Sequence, residues 1–127
     1  MASDRAPDAV VRYWEALERK DLEGATAFLD ERFVEDWPQS GERIVGVPNW
    51  LRMATQHPTF PDVTVTRITG HDDFWAVEAD FRYPGTEGTW RVCALNELSD
   101  GRIARIVEYF GAPFEAADWR KDLVQRI

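Results

Sequence analysis

Two polar side chains stand where they could act on a small molecule. Tyr13 lies on the apolar side of a helix-like segment, and Asp36 ends a short strand-like run, just before Trp37 and Pro38. A carboxylate that is partly removed from water becomes a stronger base, and a buried phenol can stabilise negative charge that develops on an oxygen. Each residue also has a structural interpretation: Tyr13 can be a core aromatic, and Asp36 can start a turn.

Other chemical motifs are missing from the sequence. It contains neither GxGxxG nor GxxxxGK, so backbone cradles for dinucleotides and nucleotide phosphates are not indicated. His57 and His71 lack zinc-ligand spacing, and no serine occupies a G-x-S-x-G elbow. We therefore expect neither a metal nor a cofactor. His57, just before Pro58, is typical of a helix C-terminal residue that interacts with the dipole.

Length and charge limit the class of protein. A chain of 127 residues has room for one domain, and its formal net charge of −8 argues against nucleic acid and against an anionic membrane surface. No apolar run approaches the length of a membrane span, and the first residues lack the apolar segment of a secretory signal. We expect a cytoplasmic protein. The six tryptophans and seven phenylalanines can supply flat walls for an apolar or aromatic small molecule.

The first half of the chain has helical periodicity. Residues 7–20 carry apolar side chains at helical spacing, and Asp21 is a suitable N-cap for a short helix over residues 22–29. Residues 33–37 are strand-like, and residues 41–46 form a turn or short hairpin. Pro48 suits the first turn of a third helix, which bears Trp50, Met53 and His57 on one side and stops before Pro58.

The second half has strand periodicity. Four strands are predicted at residues 63–69, 74–83, 89–98 and 103–110, separated by turn signals. From Trp75 to Tyr83 every second residue is apolar, which is typical of a strand buried on one face. Pro113 could open a C-terminal helix with Trp119 and Leu123 on its apolar side. The predicted fold is α+β: a cone-shaped, strongly curved antiparallel sheet packed against N-terminal helices, with an additional C-terminal helix.

Several short runs carry a family resemblance. They are VVRYWEAL at residues 10–17, DLEGA at 21–25, VED at 34–36, FRYPG at 81–85 and DGRI at 100–103. Together they resemble the nuclear transport factor 2-like superfamily, in particular its ketosteroid isomerase branch and its SnoaL-type polyketide cyclases. The resemblance spans nearly the whole chain and implies a single domain over residues 1–127 that encloses a pocket.

The resemblance also implies roles. Tyr13 matches the isomerase tyrosine that donates to a developing oxyanion, and Asp36 matches the proton-transferring carboxylate. A protonated aspartic acid is the second oxyanion donor in that enzyme, which is a standard example of pKa tuning. Its place falls on or near Ala94, which has no donor, and Asn96 could replace it.

Strand alternation extends this alignment to further residues. If position 94 faces the pocket, Trp90, Val92 and Asn96 face the same way. On the last strand Glu108 and Phe110 turn inward, although a slip of one residue would exchange Glu108 for Tyr109. An inward Glu108 would form a carboxylate pair with Asp36, in which each group raises the pKa of the other. Glu108 could equally be a solvated strand residue.

These arguments lead to a ranked functional hypothesis. The leading one is proton transfer on an apolar carbonyl or polyketide-like substrate, with Asp36, Tyr13 and Glu108 as catalytic candidates. The alternative is a non-catalytic ligand-binding or dimeric scaffold module, because fold does not fix function. In either case we expect a homodimer. The predicted ligand-binding residues are Leu17, Trp50, Met53, His57, Trp90, Val92, Asn96 and Phe110.

Overall fold

The computed structural model describes residues 6–127, and the helices precede most of the strands along the chain. The helices are α1 (Asp8–Glu18), α2 (Leu22–Ala25), which continues as a 3-10 turn (Thr26–Phe28), and α3 (Val47–Gln56). The strands are β1 (Leu29–Trp37), β2 (Glu42–Val45), β3 (Asp62–His71), β4 (Phe74–Arg82), β5 (Trp90–Ser99) and β6 (Arg102–Gly111).

The six strands form one open sheet in the order β2-β1-β6-β5-β4-β3. Neighbouring strands are antiparallel except β1 and β6, which run parallel. Register shifts interrupt the β3–β4 pair after Val65, the β5–β6 pair after Glu97 and the β1–β6 pair between Leu29 and Val34. Such irregularities bend strands and increase twist. The α+β prediction with a curved sheet is confirmed.

The core lies between the helices and the inner face of this sheet. The apolar side of α1 buries Val10, Tyr13, Trp14 and Leu17. Along β4 the buried residues Trp75, Val77, Ala79 and Phe81 alternate with more exposed ones, so the predicted period of two is confirmed. This packing fixes which strand residues point inward.

The second helix is shorter than the sequence predicts. Asp21 is its N-cap, because the side-chain oxygen accepts a hydrogen bond from the Gly24 N–H at 3.0 Å. The α-helical part ends at Ala25, and Leu29 is already the first residue of β1. Leu29 is buried in the core, so the early start of the strand is explained by the burial of its side chain.

The predicted C-terminal helix is wrong. After β6 the chain has no α-helix in the described residues, and a 3-10 turn spans Asp118–Arg120. Trp119, Leu123 and Ile127, the apolar side of the expected helix, are all exposed. An isolated segment of this length is marginal as a helix unless its apolar side packs against something, and here it packs against nothing.

Within the described residues, no helix is both long enough and apolar enough to cross a membrane.

Candidate functional site

A cavity of about 530 Å³ lies between the helices and the inner face of the sheet. This volume falls within the usual range for small-molecule sites. The cavity contains six of the predicted ligand-binding residues: Leu17, Trp50, Met53, His57, Trp90 and Phe110. Residues that the sequence did not single out also line it, including Glu35, Trp37, Gln39, Ser40, Gln56, Phe60, Phe81 and Tyr83.

Aromatic rings form most of its wall. The Tyr13 and Trp50 rings lie 5.8 Å apart, and Trp37 meets Phe110 edge to face at 6.0 Å. On the other side Tyr83 stacks on His57 at 6.0 Å and contacts Trp90 at 5.7 Å. Ring pairs at these separations attract each other and limit side-chain movement. The cavity therefore has aromatic walls on two sides.

Two carboxyl groups point into this aromatic cavity. Glu35 of β1 is 3% exposed and Glu108 of β6 is 7% exposed. The two strands are parallel neighbours, with Glu35 paired to Ile106, so Glu108 lies two residues further along the same face. The two groups are electrostatic neighbours, because the charge of Glu35 raises the pKa of Glu108. Tyr109 faces outward, so of the two candidates Glu108 is the residue that faces the cavity.

Burial changes the protonation of this pair. Loss of water raises the pKa of Glu35 to about 7, although the hydrogen bond from the Trp37 indole, at 2.8 Å, favours its charged form. Burial, and then the charge of Glu35, raise the pKa of Glu108 well above its usual range. Near neutral pH the pair therefore holds one proton firmly and a second one loosely, and can offer one base and one acid.

Tyr13 is next to this pair. It is 2% exposed, and burial, with the charges of Glu35 and Glu108, raises the pKa of its hydroxyl well above the usual value. The phenol therefore stays protonated and can donate a hydrogen bond. Trp50 packs beside this phenol, with its ring centroid 5.8 Å from the Tyr13 ring, and lines the same cavity as the carboxyl pair.

The placement of Asp36 as the base in the pocket is wrong. Its side chain lies on the opposite face of the sheet, where Arg43 binds it at 2.6 and 2.9 Å and Arg105 binds it at 2.8 Å. Hydrogen bonds from these arginines lower the pKa of Asp36 to about 2. A carboxylate held in this way is a weak base and cannot reach a ligand in the cavity.

Strand alternation could have identified Glu35. Phe33, Glu35 and Trp37 share one face of β1, and the aromatic residues at both sides of Glu35 turn this face inward. Asp36 shares the opposite face with Val34. The family resemblance pointed to Asp36, whereas the alternation of inward and outward side chains from Phe33 to Trp37 indicated Glu35.

Val92 and Asn96 are inward and buried, but they lie outside the cavity lining. The Asn96 amide nitrogen donates to the carbonyls of Trp75 and Ala94, each at 3.1 Å, and its oxygen accepts from the Trp14 indole at 3.2 Å. Both amide hydrogens are thus used in the core. Asn96 cannot replace the second oxyanion donor, and its prediction as a ligand-binding residue is wrong.

His57 ends α3 and borders the cavity. Its Nδ1 accepts a hydrogen bond from the Thr59 backbone N–H at 3.0 Å. A backbone N–H can only donate, so Nδ1 is the acceptor in this contact and is not available to a ligand. Across residues 6–127 no group of three or more His, Cys, Asp or Glu side chains is placed to hold a metal ion.

Comparison with known proteins agrees with this architecture. The family model for the SnoaL-like domain matches residues 10–106, and comparison with curated proteins gives no significant match. Among solved structures, an NTF-2 like protein of unknown function from Burkholderia xenovorans is 32% identical, with 94% of this chain and 93% of that one covered and a TM-score of 0.82.

Two further structures carry functional names. A candidate ketosteroid isomerase from Kribbella flavida is 25% identical, with coverage of 94% of this chain and 87% of its own and a TM-score of 0.83. A candidate polyketide cyclase from Sinorhizobium meliloti is 23% identical, with coverage of 81% and 94% and a TM-score of 0.70, and it shows the fold alone. From the family model and these structures, the chain belongs to the SnoaL-like domain family, within the nuclear transport factor 2-like superfamily.

Proposed function

We propose that the protein is a cofactor-independent enzyme that moves a proton on a small, apolar carbonyl compound. One observation carries the proposal: two buried carboxyl groups, Glu35 and Glu108, face into an aromatic cavity from neighbouring strands. Pairs of titratable groups whose environment separates their protonation states are typical of acid–base catalysis. The assignment replaces Asp36 with Glu35 and keeps Tyr13 and Glu108 from the sequence prediction.

The proposed reaction needs only groups that line the cavity. The ionised carboxyl of the pair takes a proton from a carbon next to the substrate carbonyl. Negative charge then develops on the carbonyl oxygen, and the Tyr13 hydroxyl and the protonated carboxyl can donate hydrogen bonds to it. Return of the proton to the same carbon gives exchange, and delivery to another carbon gives isomerisation, so the base is regenerated in both cases.

The cavity supports a ring-containing substrate. Its volume of about 530 Å³ accommodates a fused ring system, and stacked or edge-on rings line both sides. Structural relatives include a candidate ketosteroid isomerase and a candidate polyketide cyclase, whose names also point to ring carbonyl compounds. We therefore propose a steroid-like or aromatic polyketide-like carbonyl compound as the substrate class.

Exchange of hydrogen for deuterium tests this proposal directly. Cyclic ketones that raise the thermal unfolding temperature would be incubated with the protein in D₂O and followed by mass spectrometry. We expect wild-type protein to accelerate exchange next to the carbonyl, and Glu35→Gln or Glu108→Gln to reduce the rate by about 100-fold. Glu78→Gln removes a carboxylate from the outer ion pair with Arg67 and is the matched control.

The alternative function is ligand binding without turnover, as a binding or scaffold module. The aromatic walls favour it, because they can bind a flat molecule without help from the carboxyl pair. Ketones that bind but exchange at the same rate with and without protein would support this alternative and contradict the enzyme proposal.

We also propose a homodimer that packs through the outer face of the sheet. Phe74 and Tyr109 lie on this face and are 44% and 46% exposed. Cys93 and Leu95 between them are only partly covered. A partly apolar sheet face of this kind is commonly buried against a second copy related by a twofold axis.

A further inference from the structure

Among residues 6–127 no lysine or arginine is paired with the Glu35–Glu108 carboxyl pair. Glu35 and Glu108 face into the cavity, and the residues that line it include no lysine and no arginine. Arg43 lies on β2 and Arg105 lies on β6, the strand of Glu108, but both bind Asp36 on the opposite face of the sheet. Buried carboxylates are normally paired with a cation, and where none is present burial favours their protonated form.

The other titratable groups around the cavity do not supply this charge. They are Tyr13 on α1, His57 at the end of α3 and Tyr83 after β4. Burial raises the pKa of both tyrosines, so they are neutral near pH 7. The Nδ1 of His57 already accepts a hydrogen bond from the Thr59 N–H. Among the described residues of the cavity wall, no side chain supplies a positive charge to the ionised form of the pair, and a cationic ligand could supply it.

The wall next to the carboxyl pair suits an organic cation. The Trp37 indole N–H donates to Glu35 at 2.8 Å, and Trp50 lines the same cavity. Phe110 lies 6.0 Å from the Trp37 ring and the Tyr13 ring lies 5.8 Å from Trp50. Aromatic faces attract ammonium groups, most strongly for tryptophan and in sites that exclude water.

We propose that the physiological ligand carries a protonated amine on a flat, apolar body. The ammonium group lies beside Glu35 and Glu108, and the body lies between the aromatic walls. This assignment rests on the proposed function for the identity of the site. It adds that the carbonyl substrate also carries a positively charged amine. A carboxylate or phosphate ester should bind more weakly than the ammonium compound, since the described cavity wall has no lysine or arginine to pair with its charge.

Binding of a cation would also prepare the pair for proton transfer. A nearby positive charge favours the state in which one carboxyl is ionised and the other is protonated. That state contains the base and the acid that the reaction needs. Since part of the pair is protonated before binding, an ammonium ligand should displace a fraction of one proton when it binds at neutral pH.

Three probes with the same ring system test the assignment. They are 2-naphthylmethylamine, its neutral analogue 2-naphthylmethanol and the anion 2-naphthoate. Isothermal titration calorimetry at neutral pH, in two buffers that differ in ionisation enthalpy, gives both affinity and proton release. We expect the amine to bind at least 10-fold more tightly than the alcohol, to release a fraction of one proton, and naphthoate to bind most weakly. Equal affinities of amine and alcohol, or binding of the amine without proton release, would overturn the proposal.

Variants locate the effect at the carboxyl pair. In Glu35→Gln/Glu108→Gln the preference for amine over alcohol should disappear while affinity for the alcohol remains. Glu78→Gln removes the same charge from the outer face of the sheet and should keep the wild-type preference. An amine preference that survives the double substitution would contradict the assignment. The wild-type comparison of the three probes decides the question even if the double variant does not fold.

The outcomes separate this inference from the proposed function. Preferential amine binding without carbon–hydrogen exchange would support the ligand class and contradict the enzyme. Exchange on neutral ketones without any amine preference would support the enzyme and contradict the ligand class.

Discussion

Replacing Glu35 with Gln should flatten the pH dependence of the free energy of unfolding. In the folded protein, burial raises the pKa of Glu35 from 4.5 to about 7. In the unfolded chain the same carboxyl titrates near its ordinary value. Between these two values the unfolded state has released the proton and the folded state has kept it, so the free energy of unfolding falls as pH rises through this range.

The size of the effect follows from the pKa. One pKa unit corresponds to roughly 1.4 kcal/mol, so Glu35 alone lowers the free energy of unfolding by about 3 kcal/mol between about pH 4.5 and 7. Glu108 acts in the same direction because its pKa is also raised by burial. Asp36 acts at lower pH, since its pKa is about 2 and its stabilisation is complete before Glu35 begins to ionise.

Urea unfolding followed by tryptophan fluorescence, at about pH 5 and about pH 7.5, measures this change. From the lower to the higher pH, the free energy of unfolding of the wild type should fall by about 3 kcal/mol or more. It should fall less in Glu35→Gln and little in Glu35→Gln/Glu108→Gln. Glu78→Gln, the control, should behave as the wild type because its carboxylate lies in an exposed ion pair. Equal pH dependence in the wild type and the double variant would refute the assignment of buried, protonated carboxyls.

Four further predictions concern single features. Tyr13→Phe should slow deuterium exchange by about 100-fold with little change in the urea midpoint, and unchanged exchange would contradict the donor role. Asp36→Asn should lower the free energy of unfolding by about 1 kcal/mol at neutral pH, and by less as the pH falls toward 2. It should leave deuterium exchange on the ketone unchanged, and a loss of this exchange would contradict a purely structural role for Asp36. Asn96→Ala should destabilise by about 2 kcal/mol in urea, since the buried Trp14 indole loses its acceptor, and an unchanged midpoint would contradict this. Light scattering at micromolar concentration should give twice the chain mass of 14.6 kDa, whereas a monomer alone would contradict the dimer.

The order of helices and strands could be predicted from the sequence because local patterns determine it. The alternation from Trp75 to Phe81 required one buried face, and the structure buries that face. Likewise Tyr13 shares the apolar side of α1 with Val10 and Leu17, so its burial followed from helical spacing. Such patterns depend on backbone periods that hold in any protein, and therefore need no knowledge of the tertiary structure.

The acidic residue of the site could be only partly predicted. The resemblance pointed to Asp36, although Phe33 and Trp37 already indicated that Glu35 faces inward. The sequence did not decide whether Glu108 or Tyr109 faces inward. In the sheet Glu108 pairs with the buried Ala94, and this register turns Glu108 inward. Register depends on contacts between strands that are distant in sequence, so periodicity within one strand cannot fix it.

The sequence by itself determined the helices, the strands and the inward position of the aromatic residues. Only the tertiary structure decided that the segment after β6 would not form its predicted helix, since no partner covers Trp119 and Leu123. It also decided that Glu35 and Glu108 meet, because this requires β1 and β6 to run parallel across an irregular register. Burial in the cavity then raises the pKa of both carboxyls, and the charge of Glu35 raises that of Glu108 further.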